Sequence, residues 1–377
     1  MEKIIFIISA WGDSHQLNRV HNLSKLGYET VTWAYTRDYY PSKIISPNLL
    51  LGRINHGKYW RRVTTYFRSI ILQVRNLPRS QCAFYVFGFD NLIIILLLKV
   101  LYNRNITVVY EISDIRDFEL KGGVFFKVIT LVYYWAIRLI SLLIVTSEEF
   151  VTEYLANRIP EANICYQVME NKVDSLEVRY SSFDGQFQKS KGIEERLVVI
   201  GYFGLIRCSR SLDILLELLN NTEAFSLVIR GKFIGIEDLQ IKRLIDHKYV
   251  QYLGTYHSPD DLFHIYNDID VSWICYPYSG LDIGNWRWAR TNRYYEAGYF
   301  QVPMIAAIGT VDSRNAEKYG IGWSVDLRDK SEAVKALMSI TMDSIESKRS
   351  NYHSVRKESF VISDDYECLN NKLKLLP

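Results

Sequence analysis

Residues Ala289-Arg290-Thr291-Asn292-Arg293-Tyr294-Tyr295-Glu296-Ala297-Gly298 and Val302-Pro303-Met304-Ile305-Ala306 read as a helix with one polar face, then a short buried strand. At 3.6 residues per turn, Asn292, Arg293 and Glu296 fall at i, i+1 and i+4 and share that face. It presents an amide, a cation and a carboxylate, while the strand behind it is wholly apolar. A helix leading into a buried strand is one step of a βα series, and the series continues outward from it.

Upstream, strands are expected at 3–8, 29–34, 82–87, 107–111 and 142–146, with helices at 16–26, 92–101, 124–139 and 148–157 between them. Gly27 closes the first helix, and Asp90-Asn91 can cap the apolar one. Such alternation predicts α/β architecture with parallel, doubly wound sheets. The polar run around Ser181-Ser182-Phe183-Asp184-Gly185 interrupts it and reads as a linker. A second series starts at Leu197. Leu212, Leu215, Leu216 and Leu219 give a helix at i, i+3, i+4 and i+7, and strands follow at 227–231, 250–254 and 269–274. The expected division is 1–175, a linker at 176–196, 197–360, and a closing helical segment at 361–377 packing back toward the first domain. Two Rossmann-like domains in tandem, facing a cleft, is the fold class these patterns predict.

The bulk composition agrees. A chain of 377 residues exceeds the size at which one core usually divides. Hydrophobic residues at 48% can fill two cores, and 23% charge excludes a disordered or coiled-coil chain. A net charge of +3 does not argue for nucleic acid. The five cysteines are scattered and odd in number, which suits a reducing compartment rather than a disulfide framework. Val128–Val145 approaches membrane length but carries Arg138 near its middle, so helix then strand is the better reading.

In open α/β sheets, ligands bind beyond the carboxyl ends of the strands. Four segments of the second half fall there. After the strand at 197–203 comes Gly204-Leu205-Ile206-Arg207-Cys208-Ser209-Arg210. Its glycine allows close backbone approach, and its arginines suit phosphate oxygens at a helix start; it also reads as a plain turn with solvated arginines. Arg230-Gly231-Lys232 ends the next strand. Ser279-Gly280-Leu281-Asp282 can wrap a phosphate or sugar with backbone N–H groups, or be an ordinary loop. The fourth is the helix of Asn292, Arg293 and Glu296, which also reads as a surface ion pair. A cation for a diphosphate and a carboxylate for ribose hydroxyls is the combination a nucleotide sugar requires.

The order of these segments resembles the GT-B glycosyltransferases, in particular the large retaining nucleotide-sugar family 4-like group. Tyr202-Phe203-Gly204-Leu205-Ile206-Arg207 is similar to its phosphate loop. Leu227 to Gly231 and Val250 to Gly254 are similar to its Leu-x-Ile-x-Gly and Val-x-Phe-x-Gly strands. Asn292-Arg293-Tyr294-Tyr295-Glu296-Ala297 with Val302-Pro303-Met304-Ile305-Ala306 resembles its Asn-Lys-Leu/Phe-Tyr-Glu-Ala and Val-Pro-Val-Ile-Ala signature. The resemblance implies that Arg207 and Arg293 hold the donor diphosphate, Glu296 the ribose and Asn292 the helix face. Gly204, Arg210, Gly231, Ser279, Gly280 and Asp282 complete the donor site. Departures are visible. Trp288 stands where the family often has a second glutamate, and Asp282 is a stand-in for it. Arg293 stands where the family has lysine, Arg210 where a lysine is missing nearby, and Gln301 where glycine is common.

The resemblance further implies transfer of a sugar from a nucleoside diphosphate sugar to a glycan or lipid-linked glycan in bacterial surface polysaccharide synthesis, with retention favoured over inversion. No Asp-x-Asp stands at a strand end, so no metal is expected, and no cofactor beyond the sugar nucleotide as co-substrate. The first half would bind the acceptor. Asp13 and His15 after the first strand, and Asp114 after the strand at 107–111, are the candidate proton carriers; Asp13 and Asp114 read equally well as helix caps. Residues 58–77 form a basic amphipathic helix that suits either an anionic lipid surface or the packing of a sheet. The expected location is cytoplasmic, at the inner face of the membrane. A catalytically silent nucleotide- or glycan-binding subunit and a GT-B sugar-nucleotide epimerase are the alternatives.

Overall fold

The computed structural model describes residues 2–37, 46–54, 59–115, 119, 123–161, 163–175, 178, 197–278 and 285–376. The chain divides into two compact units, Met1–Glu170 with Asp364–Pro377, and Asn171–Ser363. Nearly all of the expected 176–196 linker lies outside the described residues.

Unit 1 runs β1 (Lys3–Ile8), α1 (Ser14–Lys25), β2 (Glu29–Thr36), β3 (Leu49–Arg53), α2 (Tyr59–Arg75), β4 (Cys82–Phe87), α3 (Phe89–Leu101), β5 (Ile106–Ile112), α4 (Val124–Ile137), β6 (Leu142–Val145) and β7 (Tyr166–Val168). The sheet is parallel in the order β3-β2-β1-β4-β5-β6-β7. Its central strands are continuous apolar runs because helices cover both faces, so alternating in-and-out patterning disappears. β4, β5 and β6 are buried along their whole length. The exception inside β5 is Glu111, discussed below. Where a helix was expected over 148–157, Phe150–Leu155 is a π-helical turn. The apolar run at 128–145 divides into the end of α4 and β6, and among the described residues no helix is long and apolar enough to cross a membrane.

Unit 2 runs β8 (Val198–Ile206), α5 (Ser209–Asn221), β9 (Phe225–Phe233), α6 (Asp238–Ile245), β10 (Val250–Tyr252), α7 (Leu262–Asn267), β11 (Val271–Trp273), α8 (Asn285–Trp288), α9 (Asn292–Tyr299), β12 (Met304–Ala307), α10 (Val311–Lys318), β13 (Gly322–Val325), α11 (Lys330–Met338) and α12 (Met342–Ser350). Its sheet is again parallel, in the order β10-β9-β8-β11-β12-β13. The last helix, α13 (Asp365–Leu375), belongs to unit 1 and packs against α1 and β7.

Three local expectations are corrected. β8 reaches Ile206, so Gly204 lies in a strand rather than in a loop after it. β9 likewise continues through Gly231 to Phe233. The helix read from Ala289 begins only at Asn292, because the Thr291 hydroxyl accepts the Tyr294 N–H at 3.1 Å as its N-cap. The helical repeat of the sequence does not reveal which hydroxyl turns back to cap.

Candidate functional site

The strand order of unit 2 reverses between β8 and β11, which is where an open parallel sheet leaves a crevice beyond its carboxyl ends. Arg293 spans that point. Its Nη1 donates to the Phe203 carbonyl of β8 and its Nη2 to the Cys275 carbonyl just past β11, each at 3.1 Å. The guanidinium also lies over the Tyr202 ring, 5.0 Å from its centroid. Two of its five N–H donors are thus spent on backbone carbonyls.

One turn along α9, Glu296 is buried and accepts from the Tyr266 hydroxyl of α7 at 2.7 Å. Burial pushes its pKa up, and the Tyr266 hydrogen bond and the charge of Arg293 only partly offset this. No ion pair joins Arg293 to Glu296, so the surface-pair reading of this helix does not hold. Asn292, at the first turn, is exposed. The face expected to carry three side chains therefore divides into a buried acid, a half-buried cation and an exposed amide.

Beside Arg293, β8 and β9 carry a glycine pair two positions before their ends. Gly204 and Gly231 are directly in register, with φ of +92° and +138°. A Cβ on Gly231 would lie 1.8 Å from the Gly204 carbonyl oxygen, so backbone meets backbone with no room for a side chain. Arg207, the residue after β8, is exposed and stands over the Tyr276 ring at 5.9 Å, next to the Cys275 carbonyl that Arg293 holds. The two arginines flank the same short segment. Arg210 is used differently, since its Nε and Nη2 donate to the Leu327 and Arg328 carbonyls at 2.7 Å each. Ser279, Gly280 and Asp282 lie outside the described residues. Trp288 is buried and brings no acid to this region.

Sequence reading missed the residues that hold α9 in place. Asp312 of α10 is buried; it pairs with Arg290 Nε at 2.8 Å and accepts from the Thr291 backbone N–H at 3.0 Å and hydroxyl at 2.8 Å. It thereby clamps the N-cap on which the positions of Arg293 and Glu296 depend. Tyr266 was missed as well. Neither carries a sequence signal, because each meets its partner only across the fold.

In unit 1, three predicted residues have distinct fates. Asp13 is the N-cap of α1, its carboxylate accepting the Gln16 N–H at 3.2 Å. Asp114 is exposed beyond β5. His15 faces Glu111, with Nε2 2.6 Å from Oε1. Glu111 lies near the carboxyl end of β5, beside the β1/β4 reversal, and is completely buried. The buried Arg19 reaches its Oε1 at 3.3 Å through Nη2, and the Tyr85 hydroxyl donates to its Oε2. Burial alone would raise the Glu111 pKa; the charges of Arg19 and His15, with the His15 and Tyr85 hydrogen bonds, outweigh it and hold the carboxyl down to about 2. The lowered Glu111 carboxylate holds His15 by Nε2. Ser113 Oγ lies 3.4 Å from the same nitrogen. Glu111 carries a sequence signal of its own: it is the one acid in the buried strand Ile106–Ile112.

No family model matches the chain. Its sequence is 24% identical over 304 residues to the succinoglycan biosynthesis protein ExoL of Rhizobium meliloti (strain 1021), spanning 77% of this chain and 72% of that protein. Among solved structures it is similar to the sucrose-phosphate synthase of Thermosynechococcus elongatus, with TM-score 0.70, 12% identity, and 99% and 98% of the two chains covered. It is also similar to Anabaena HepE in complex with UDP, with TM-score 0.67, 14% identity and both chains covered in full. At such identities the likeness speaks for the fold, and the fold is GT-B.

Proposed function

We propose that the protein is a glycosyltransferase that moves a sugar from a nucleoside diphosphate sugar to a glycan or lipid-linked glycan in surface-polysaccharide synthesis, at the inner face of the membrane. The observation that carries this reading is Arg293 bridging β8 and β11 at the reversal of the unit 2 sheet, one helical turn from buried Glu296. The likeness to ExoL and to a UDP-bound GT-B protein supports it. In this reading Arg293 and Arg207 neutralise the departing diphosphate, which is where charge develops in the transition state. The Gly204–Gly231 pair lets the ligand approach bare backbone, and Glu296 takes the ribose hydroxyls. Arg210 braces the start of α5 rather than binding donor. Ser279, Gly280 and Asp282 complete the donor loop, and residues 58–77 contact lipid. We propose retention of configuration, in which the leaving phosphate takes the acceptor proton and the His15–Glu111 pair binds and orients a hydroxyl.

The test is calorimetric titration of the protein with UDP, GDP, ADP and CMP and their sugars, followed by transfer assays on lipid-linked acceptors. One nucleoside diphosphate should bind, and Arg293→Lys should weaken it about tenfold or more because a point charge cannot reproduce the two-carbonyl bridge. Transfer should survive chelation of divalent cations, and the product's anomeric configuration should match the donor's. Failure of every nucleotide to bind rejects the reading. Binding without turnover favours a silent subunit, and sugar isomerisation without acceptor favours an epimerase.

A further inference from the structure

The connections β3 to β4, β4 to β5 and β5 to β6 all step in the same direction across the unit 1 sheet. Right-handed crossovers therefore place α2, α3 and α4 on one face. Contacts agree: the Tyr66 hydroxyl of α2 donates to Asp90 of α3 at 2.9 Å, and Phe89 of α3 meets Tyr133 of α4 edge-on with ring centroids 5.2 Å apart. A helix layer over a sheet normally turns a polar stripe outward, but this layer turns an apolar one outward. On α4, Phe125, Val128, Leu131 and Trp135 are exposed, Phe125 by 70% and Trp135 by 56%. α3 adds Leu97 and Leu101, and α2 adds Phe67 and Ile71.

Charge on this layer is equally one-sided. The whole chain is nearly balanced, with 45 lysines and arginines against 42 acids. Yet helices α2, α3 and α4 themselves contain six lysines and arginines and a single acid, Asp90, with Glu119 of the connection before α4 held by Tyr134. Arg68 and Arg75 of α2, Lys127 of α4 and Arg138 at its C-cap are exposed. α4 has 14 residues, about 21 Å at 1.5 Å per residue, short of the ~30 Å of a hydrocarbon core. Such a helix lies in an interface rather than crossing it.

We propose that the outward face of α2, α3 and α4 is a docking surface for an anionic phospholipid bilayer, with Phe125, Leu131 and Trp135 entering the acyl boundary and the surrounding arginines and lysines meeting the headgroups. Apolar burial and attraction to anionic lipid are the two terms that hold such a face. The centre of contact is α4, not the 58–77 segment alone. A second copy of the chain is a poor occupant, because a two-fold interface would set these cations against themselves. The inference rests on and extends the lipid contact proposed above for residues 58–77, and is independent of the chemistry proposed for unit 2.

The test is flotation of the full-length protein with phosphatidylglycerol/phosphatidylcholine vesicles and with pure phosphatidylcholine vesicles, at low and high salt. Binding should require the anionic lipid and weaken with salt. Leu131→Asp/Trp135→Asp and, separately, Lys127→Glu/Arg138→Glu should each reduce it about tenfold or more, with circular dichroism and melting unchanged because these side chains are exposed. Brominated acyl chains should quench wild-type tryptophan fluorescence more than that of Trp135→Phe. Absence of wild-type binding, binding indifferent to both double variants, or a stable dimer that Leu131→Asp/Trp135→Asp dissociates without any vesicle binding overturns the proposal.

Discussion

Two side chains of the same predicted site are under opposite constraints. Arg207 is exposed and, among the described residues, its cation stands over the Tyr276 ring, so Arg207→Ala should leave stability within about 0.5 kcal/mol of wild type. Nucleoside diphosphate affinity should nonetheless fall about tenfold, read by calorimetry, because a charge-assisted contact is worth roughly 1.5–3 kcal/mol. Glu296 is buried, and its folded pKa lies above the free value. An acid raised in this way binds its proton more tightly folded than unfolded, so stability declines as pH rises through the carboxylate range. Glu296→Gln keeps an acceptor for Tyr266 and removes that ionisation. We predict a variant at least as stable as wild type at neutral pH, by up to about 1 kcal/mol, with a flatter stability-versus-pH curve and lost nucleotide binding. A variant that melts lower and binds normally would contradict this. Both residues were legible from chemistry alone, but their exposures were not, since a helical repeat does not tell which of its faces the neighbouring elements cover.

Among the elements, the β8–β9 pair carries its function in backbone. The glycines at 204 and 231 pair directly, two positions before the ends of both strands, and each takes a φ that L side chains avoid. Gly231→Ala must push the Gly204 carbonyl aside, and thermal denaturation should show a loss of about 3 kcal/mol or more, combining left-handed strain with the clash. Gly204→Ala meets only the Tyr256 hydroxyl at 3.8 Å and should cost about 1–2 kcal/mol. The contrast between the two is the check. At the end of α9, Gln301 takes a φ of 55°, the left-handed conformation that explains why glycine is common at that place in the family it resembles. The positioning of α9 by Arg290 and Asp312 had no such signature, because an ion pair 22 positions apart leaves no period in a sequence.

At the scale of the whole molecule, the buried cluster of unit 1 joins distant parts of the chain. Arg19 reaches Glu111, the Met169 carbonyl at 2.6 Å and the Tyr366 hydroxyl of α13 at 3.0 Å, and Tyr28 donates to Asn370 at 2.7 Å. Glu111 is held down to about 2, below its free value, so its contribution is fully present above the free carboxylate range and is lost as pH falls toward about 2. Acid unfolding followed by circular dichroism should therefore begin below about pH 4.5 and steepen toward 2. In Glu111→Gln this dependence should be reduced. Arg19→Met removes the guanidinium from a buried carboxylate that then keeps only His15 and Tyr85, and should destabilise by roughly 3–5 kcal/mol at neutral pH. A variant with unchanged stability would show that the cluster is not held by charge.

From its sequence alone, this protein could be assigned two parallel α/β layers, the order of their βα units and the chemical kind of its ligand-facing residues. Those properties follow from local periodicity, from glycine and from side-chain charge, each of which is written within a few positions. Tertiary structure alone decided that Glu111, Arg19 and Tyr366 meet, that Asp312 clamps α9, that Arg210 turns to backbone carbonyls, and that one helix layer leaves its apolar side uncovered. These depend on which surfaces come together after the chain has closed, and contacts between positions hundreds of residues apart are set by packing rather than by any local repeat.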